Sequence, residues 1–336
     1  MTANIGILYT GGTIGMIDSP QGLIPAPNLA RHTQHLFSGS LTADWHISDP
    51  LIDSSAVNLT HWQDWLAWIH NALPRYDALL ILHGTDTLAY TANILALSLP
   101  DLNKPIIITG AQWPFGQRHS DAEFNLRTAL AACLLTDLHH CAVAFNGQLY
   151  RAVGSTKIST ETAAAFDTPH FAPLASWLPE HGQWQKQTAN RLPGPQALMP
   201  PAWSINPSIN PSVRIVCHTL IPGASSEMIA ESLNTIPADG AVLQSYGHGN
   251  APDCPQLFAA LHRLAERNIP VINISQVLQG KTAGVYAQGH ALRETGVING
   301  GKANLETAVA LLTLAASNHW TKTEISGCLK YWQLCD

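Results

Sequence analysis

Charged side chains are scarce in this chain. Asp, Glu, Lys and Arg make up 12% of its 336 residues, about half the ~25% of an ordinary globular domain. Seventeen basic against 23 acidic residues leave a net charge of −6. That argues against nucleic acid or an anionic membrane surface as a partner. Long apolar runs are missing too. The stretch Ala308 to Ala316 is interrupted by Thr313 and falls far short of the ~20 residues a membrane span needs. The first residues carry no basic segment followed by an apolar one, so no secretory signal is expected. None of the six cysteines (133, 141, 217, 254, 328, 335) forms a Cys-x-x-Cys pair. Idle or buried thiols are expected, not a disulfide framework or zinc site. The 16 histidines, His32, His35, His139, His140 and His248 among them, include no His-Glu-x-x-His. They are expected to be solvated or hydrogen-bonded, with no metal and no cofactor. These absences leave a cytoplasmic enzyme or a small-molecule-binding protein.

What is present is a foldable chain. Hydrophobic residues reach 46%, above the range of disordered segments. The length allows two domains. Residues 191–212 hold six prolines and are expected to form an extended linker. The division is therefore 1–190, an N-terminal α/β catalytic domain; 191–212, a proline-rich linker; and 213–336, a C-terminal α/β domain.

Each part alternates strand and helix patterns. Ile5–Tyr9, Ala78–Leu82 and Ile106–Ile108 are apolar strand runs. Thr60 to Gln63 fits a capping box. Trp62, Trp65, Leu66, Ile69 and Leu73 follow at helical spacing, which places Trp62 and Trp65 in a core. Thr87 to Leu99 is helical up to Pro100. In the second part 213–216, 240–243 and 271–274 are strands, with helices near 227–233 and 256–267. Apolar strands joined by helices imply a parallel sheet covered on both faces.

Two turns carry candidate chemistry. Tyr9-Thr10-Gly11-Gly12-Thr13-Ile14-Gly15 and His83-Gly84-Thr85-Asp86-Thr87 each follow an apolar strand. Strand carboxyl ends are where open α/β sheets bind ligands. Glycine lets backbone approach a substrate closely. A threonine hydroxyl is a weak nucleophile that needs a base, and a lysine can serve. Asp86 is placed to orient that base or hold an ammonium. Either turn alone is compatible with a plain tight turn; two, each placing Thr at a strand end, favour a site. Neither matches a dinucleotide or P-loop fingerprint. Asp121 and Asn125, also after a strand, are expected to tie loop backbone together.

The segments TGGTIGM (10–16) and LHGTDTLAYTA (82–92) resemble the two signature segments of bacterial-type L-asparaginases. PLIDSS (50–55), ITGAQWP (108–114), SDAEFNL (120–126), Lys157, SYGHGNAP (245–252) and AGVYAQGHALRETGVINGG (283–301) extend the likeness over almost the whole chain. It is nearest to the type I, cytoplasmic branch. The resemblance implies an α/β, two-domain asparaginase-like fold. Its larger N-terminal part is a mostly parallel sheet with helices on both faces, and its smaller C-terminal part is α/β. It implies hydrolysis of L-asparagine to L-aspartate and ammonia through an acyl-threonine intermediate, in a homodimer or homotetramer. Thr13 matches the nucleophile; Thr85, Asp86 and Lys157 match the supporting catalytic set. Asp53, Ser54, Ser55, Thr85, Asp86 and Ala111 match substrate-binding positions, and Asn250 one lent by a neighbouring subunit.

Two positions depart from the family pattern. Type I members carry a tyrosine where this chain has Leu23, which can neither donate nor accept a proton. Tyr286 and Ser19 are candidates to supply the hydroxyl. Some type I enzymes have an effector-site cysteine where Val277 stands. The alternatives are a catalytically weak asparagine/aspartate-binding protein, or a glutaminase-asparaginase. The segment 16–28 is expected to be a mobile lid.

Overall fold

A computed structural model describes the chain except for Met1, Gln21, 38–40, Asp101, 187–206 and 284–287. It divides into two compact units, Met1–Leu192 and Pro193–Asp336. Most of the expected linker, 191–206, lies outside the described residues. Its end is not free. Ser208 and Asn318 exchange hydrogen bonds, and Asn210 N donates to Ser317 Oγ, so residues 208–210 belong to the second unit.

The first unit contains strands β1 (Ala3–Gly11), β2 (Met16–Ser19), β3 (Gly22–Pro25) and β4 (Leu41–Ile52), with the short helix α1 (Leu29–His32) before β4. Then come α2 (Leu59–Ala72), β5 (Ala78–Leu82), α3 (Leu88–Ser98), β6 (Ile106–Thr109), α4 (Ala122–Cys133), β7 (Cys141–Phe145) and β8 (Gln148–Arg151). Short strands β9 (Thr156–Lys157), β10 (Phe166–Asp167), β11 (Ala175–Leu178) and β12 (Gln183–Lys186) complete it. The main sheet has the order β12-β11-β8-β7-β6-β5-β1-β4. It is parallel from β4 to β7 and antiparallel beyond.

The apolar runs explain the parallel half. Ile5, Ile7, Tyr9, Leu80, Leu82 and Ile107 alternate onto one face and pack with Leu126 and Leu130 of α4. The intervening Leu8, Leu79, Ile81 and Ile108 are just as buried, so both faces are covered. β4 runs at the edge with its apolar residues, Leu41, Ala43, Trp45 and Ile47, turned inward at period two.

The topology positions the site. β1 pairs with β4 on one side and β5 on the other, so the chain reverses its direction of travel at β1. Their carboxyl ends meet at this switch point, the crevice where doubly wound sheets bind ligands.

The second unit is a four-stranded parallel sheet, β13 (Ile215–Thr219), β14 (Gly240–Ser245), β15 (Val271–Ser275) and β16 (Ile298–Asn299). Its helices are α5 (Ser225–Thr235), α6 (Pro255–Glu266), α7 (Gln288–Glu294), α8 (Leu305–Asn318) and α9 (Lys322–Tyr331). Leu257, Ala260, Leu261 and Leu264 of α6 form its buried stripe. Among the described residues no helix is long and apolar enough to cross a membrane.

One local expectation needs correction. α2 begins earlier than Thr60. Asn58 caps it, accepting from Thr60 N and His61 N, while His61 Nδ1 accepts from Asn58 N. Asn is at least as good an N-cap as Thr, and the helix starts two residues earlier, at Leu59. The segment expected to act as a lid, 16–28, carries regular structure. β2 and β3 form an antiparallel hairpin, Met16 opposite Pro25 and Ser19 opposite Gly22.

Candidate active site

Three strand ends build the site. The first is held by Gly11 and Gly12, both at positive φ. A Cβ on Gly12 would come within 2.2 Å of Gly84 Cα, and one on Gly11 within 2.2 Å of the Ile52 carbonyl. Glycine is required because the first turn lies flush against the ends of β4 and β5. Thr10 Oγ1 donates to the Leu82 carbonyl at 3.0 Å and fastens the two turns together. Thr13 then opens a 3-10 turn, Thr13–Gly15. Its side chain is partly exposed. Among the described residues none hydrogen-bonds its hydroxyl.

The second strand end is Asp53-Ser54-Ser55. Asp53 Oδ1 accepts from Ser55 N at 2.9 Å and from Ser55 Oγ at 2.8 Å. Ser54 is buried. Its Oγ accepts from Asp86 N at 3.3 Å and its carbonyl from Thr87 Oγ1 at 2.7 Å. Ser54 therefore stitches the second turn to the third, while Asp53 and Ser55 face solvent.

The third is the turn after β5. Lys157 Nζ donates to Thr85 Oγ1 and to Asp86 Oδ1, both at 2.8 Å. The lysine comes from β9, 72 residues further along the chain, where it pairs with Phe166 of β10. Its side chain is 18% exposed and that of Asp86 61%. A cation, a hydroxyl and an open carboxylate thus share one edge of the crevice.

The remaining sequence candidates sit as follows. Ala111 is fully buried after β6, in the main core. Asp121 accepts from the backbone N–H of Gln112 and Trp113. Asn125 donates to the Gly110 carbonyl at 3.0 Å and accepts from Asn146 N at 2.8 Å. Both tie loop backbone, the role expected of them. Trp62 and Trp65 are core residues. Asn250 lies in the second unit, in the turn after β14, where it and Tyr246 exchange backbone hydrogen bonds at 2.9 and 3.0 Å.

Leu23 sits on β3 opposite Asp18 and is exposed, as are Ile17 and Ile24. The hairpin is fastened at its base, where Ala26 N donates to the Gly15 carbonyl at 3.2 Å and Tyr9 Oη to the Ala26 carbonyl at 3.1 Å. Of the two substitute hydroxyls, Tyr286 lies outside the described residues. Ser19 Oγ donates to the Gly22 carbonyl and closes the hairpin turn.

His83 went unassigned in the sequence beyond its place in the turn. It is fully buried, with Nδ1 2.7 Å from the Gly84 carbonyl and Nε2 2.9 Å from Thr91 Oγ1. Trp65 and the His83 ring pack edge to face. No local signal announces this; only the contact with a helix residue shows it. Burial pushes His83 down to about 4 from 6.5, against a smaller upward effect of the Gly84 carbonyl. In the unfolded chain it titrates near ~6.5, so between those values the unfolded state binds more protons. The stability carried by neutral His83 is whole above that range and is lost as pH falls to about 4. The full loss is roughly 3 kcal/mol. Urea midpoints measured from pH 7 to pH 4 should fall, and His83→Asn should make that fall shallower. An unchanged slope refutes the assignment.

Residues 4–190 match the family described as Asparaginase, N-terminal, and residues 214–329 match the Glutaminase/Asparaginase C-terminal domain. The chain is 34% identical over 315 residues to L-asparaginase 1 of Escherichia coli (strain K12), covering 92% of this chain and 90% of that one. It is 30% identical to the 60 kDa lysophospholipase of Mus musculus, covering 91% of this chain but 57% of that protein. Among solved structures, L-asparaginase I from Vibrio cholerae O1 biovar eltor superposes with a TM-score of 0.83 at 32% identity, over 97% of this chain and 96% of that one.

Proposed function

The chain belongs to the asparaginase family, and from that premise we propose that it is an L-asparaginase, an amidohydrolase releasing L-aspartate and ammonia from L-asparagine. The observation that carries the reading is the Lys157–Thr85–Asp86 cluster at the switch point, on a turn whose Gly84 packs against Gly12, the residue before Thr13. Thr13 Oγ attacks the side-chain amide carbon, its proton passes to the leaving nitrogen, and ammonia departs. Water then cleaves the threonine ester and frees aspartate. Asp86, open to solvent, holds the α-ammonium. A carboxylate cannot hold another carboxylate, so Asp53 orients Ser55, and Ser55 meets the α-carboxylate. Ser54, locked between turns, acts from behind. Ala111 bounds the amide end through its backbone, since its side chain is in the core.

We further propose a cytoplasmic homodimer or homotetramer in which Asn250 completes a neighbour's site. Light scattering at assay concentration should show a dimer or larger; an active monomer refutes it. Pure protein given asparagine or glutamine should release ammonia, faster from asparagine. A dominant rate on glutamine selects the glutaminase-asparaginase reading. No ammonia together with aspartate binding by calorimetry selects the binding protein, which Leu23 favours.

Leu23 is testable in the same assay. If this position limits activation of Thr13, Leu23→Tyr restores a hydroxyl to the hairpin and raises kcat by about tenfold, equal to ~1.4 kcal/mol in the barrier. A flat or lower kcat shows that position 23 does not limit the reaction.

A further inference from the structure

We propose that His83 is a positioning residue for Thr85. A one-way chain of hydrogen bonds from Trp62 through Thr91 sets its ring proton on Nδ1, and that N–H holds the Gly84 carbonyl and the peptide leading into Thr85. The inference rests on the amidohydrolase reading for its kinetic consequence, but not for the relay itself.

Each step follows from what the groups can do. Trp62 Nε1–H is only a donor, and it lies 2.9 Å from Thr91 Oγ1. Thr91 Oγ1 accepts that bond, so its own proton points onward to His83 Nε2 at 2.9 Å. Nε2 is then an acceptor. The neutral ring carries its proton on Nδ1, which faces the Gly84 carbonyl at 2.7 Å, a group that only accepts. The opposite tautomer leaves the Thr91 proton without a partner and sets a nitrogen lone pair against a carbonyl oxygen. Trp62, Thr91 and His83 are all buried, so water cannot repair that arrangement. Burial also holds the ring neutral.

The held group matters because Gly84 cannot fix itself. It has no side chain, and a Cβ there would come within 2.5 Å of Ser54 Oγ. A glycine peptide is free unless something outside it binds it. The next residue must place its hydroxyl 2.8 Å from Lys157 Nζ, and small misplacements of reacting groups are costly in rate.

Three variants and one spectrum test this in the intact protein. His83→Leu removes both ring bonds and should lower kcat for asparagine about tenfold, with KM within twofold. His83→Asn keeps a side-chain N–H near the Nδ1 position and should recover most of that kcat, although it loses the Thr91 bond. Thr91→Val frees the tautomer without touching position 83 and should also lower kcat. Nitrogen-15 NMR of the unsubstituted protein should show the ring proton on Nδ1. A proton on Nε2 overturns the relay. So does kcat that follows the thermal midpoint equally in His83→Leu and His83→Asn, because that is what a purely structural histidine gives. If the unsubstituted protein releases no ammonia, the amidohydrolase reading fails instead, and the tautomer still decides the relay.

Discussion

Thr13→Ala should abolish ammonia release while leaving aspartate binding within about twofold. Thr13 stands where Gly11 and Gly12 bring the end of β1 against the ends of β4 and β5. The neighbouring hydroxyls are engaged. Thr10 donates to Leu82, Thr87 donates to Ser54, and Thr85 accepts from Lys157. The Thr13 hydroxyl alone has no protein partner among the described residues. That suits a group whose partner is substrate. Removing a covalent nucleophile costs on the order of 10⁴-fold or more in kcat. The groups proposed to bind the α-carboxylate and α-ammonium, Ser55 and Asp86, lie on other turns, so binding should persist. Calorimetry with aspartate and an ammonia assay measure the two halves separately. Mass spectrometry of protein quenched during turnover should find the acyl group on Thr13. An adduct on Thr85 reverses their roles.

Much of the scaffold was legible because it rests on local rules. The unbroken apolar runs at 78–82 and 106–108 could only be covered strands, and both are. The helix expected near 256–267 is α6, Pro255–Glu266. The signals passed over were weaker. β4 alternates apolar residues with Thr42, Asp44 and His46 along a sheet edge, a period-two pattern without the unbroken apolar run of a central strand. The hairpin of β2 and β3 was hidden behind Pro20 and Gly22, which suggest loop. Of the site, the two Thr-bearing turns were readable because glycines at strand ends mark close approach. What stayed hidden depends on distance along the chain. Ser54 looks like its neighbour Ser55 until the fold brings Asp86 N to its hydroxyl. The Trp62–Thr91–His83 chain joins two helices to a turn, and no spacing rule encodes it.

Lys157→Met should lower kcat by ~10²–10⁴-fold, the usual cost of losing a positioned proton-transfer group. The lysine sits on a two-residue strand and reaches Thr85 and Asp86 together. Held by Asp86 it is a cation; to take a proton it must act in its neutral form, and the bond to Thr85 then reverses direction. Stability should change little. Lys157 is mostly buried, but its partner Asp86 is largely solvated, which keeps the pair's contribution to stability near the ~1 kcal/mol of surface pairs. A thermal midpoint close to that of the unsubstituted protein, with kcat far lower, separates chemistry from support. Lys157→Arg distinguishes the two electrostatic roles. A guanidinium keeps the positive charge near Asp86 but stays protonated in proteins and accepts nothing. If Lys157 moves a proton, the arginine variant should be nearly as slow as the methionine variant. If the arginine variant keeps most of kcat, the lysine only orients Asp86 and the substrate, and the base lies elsewhere.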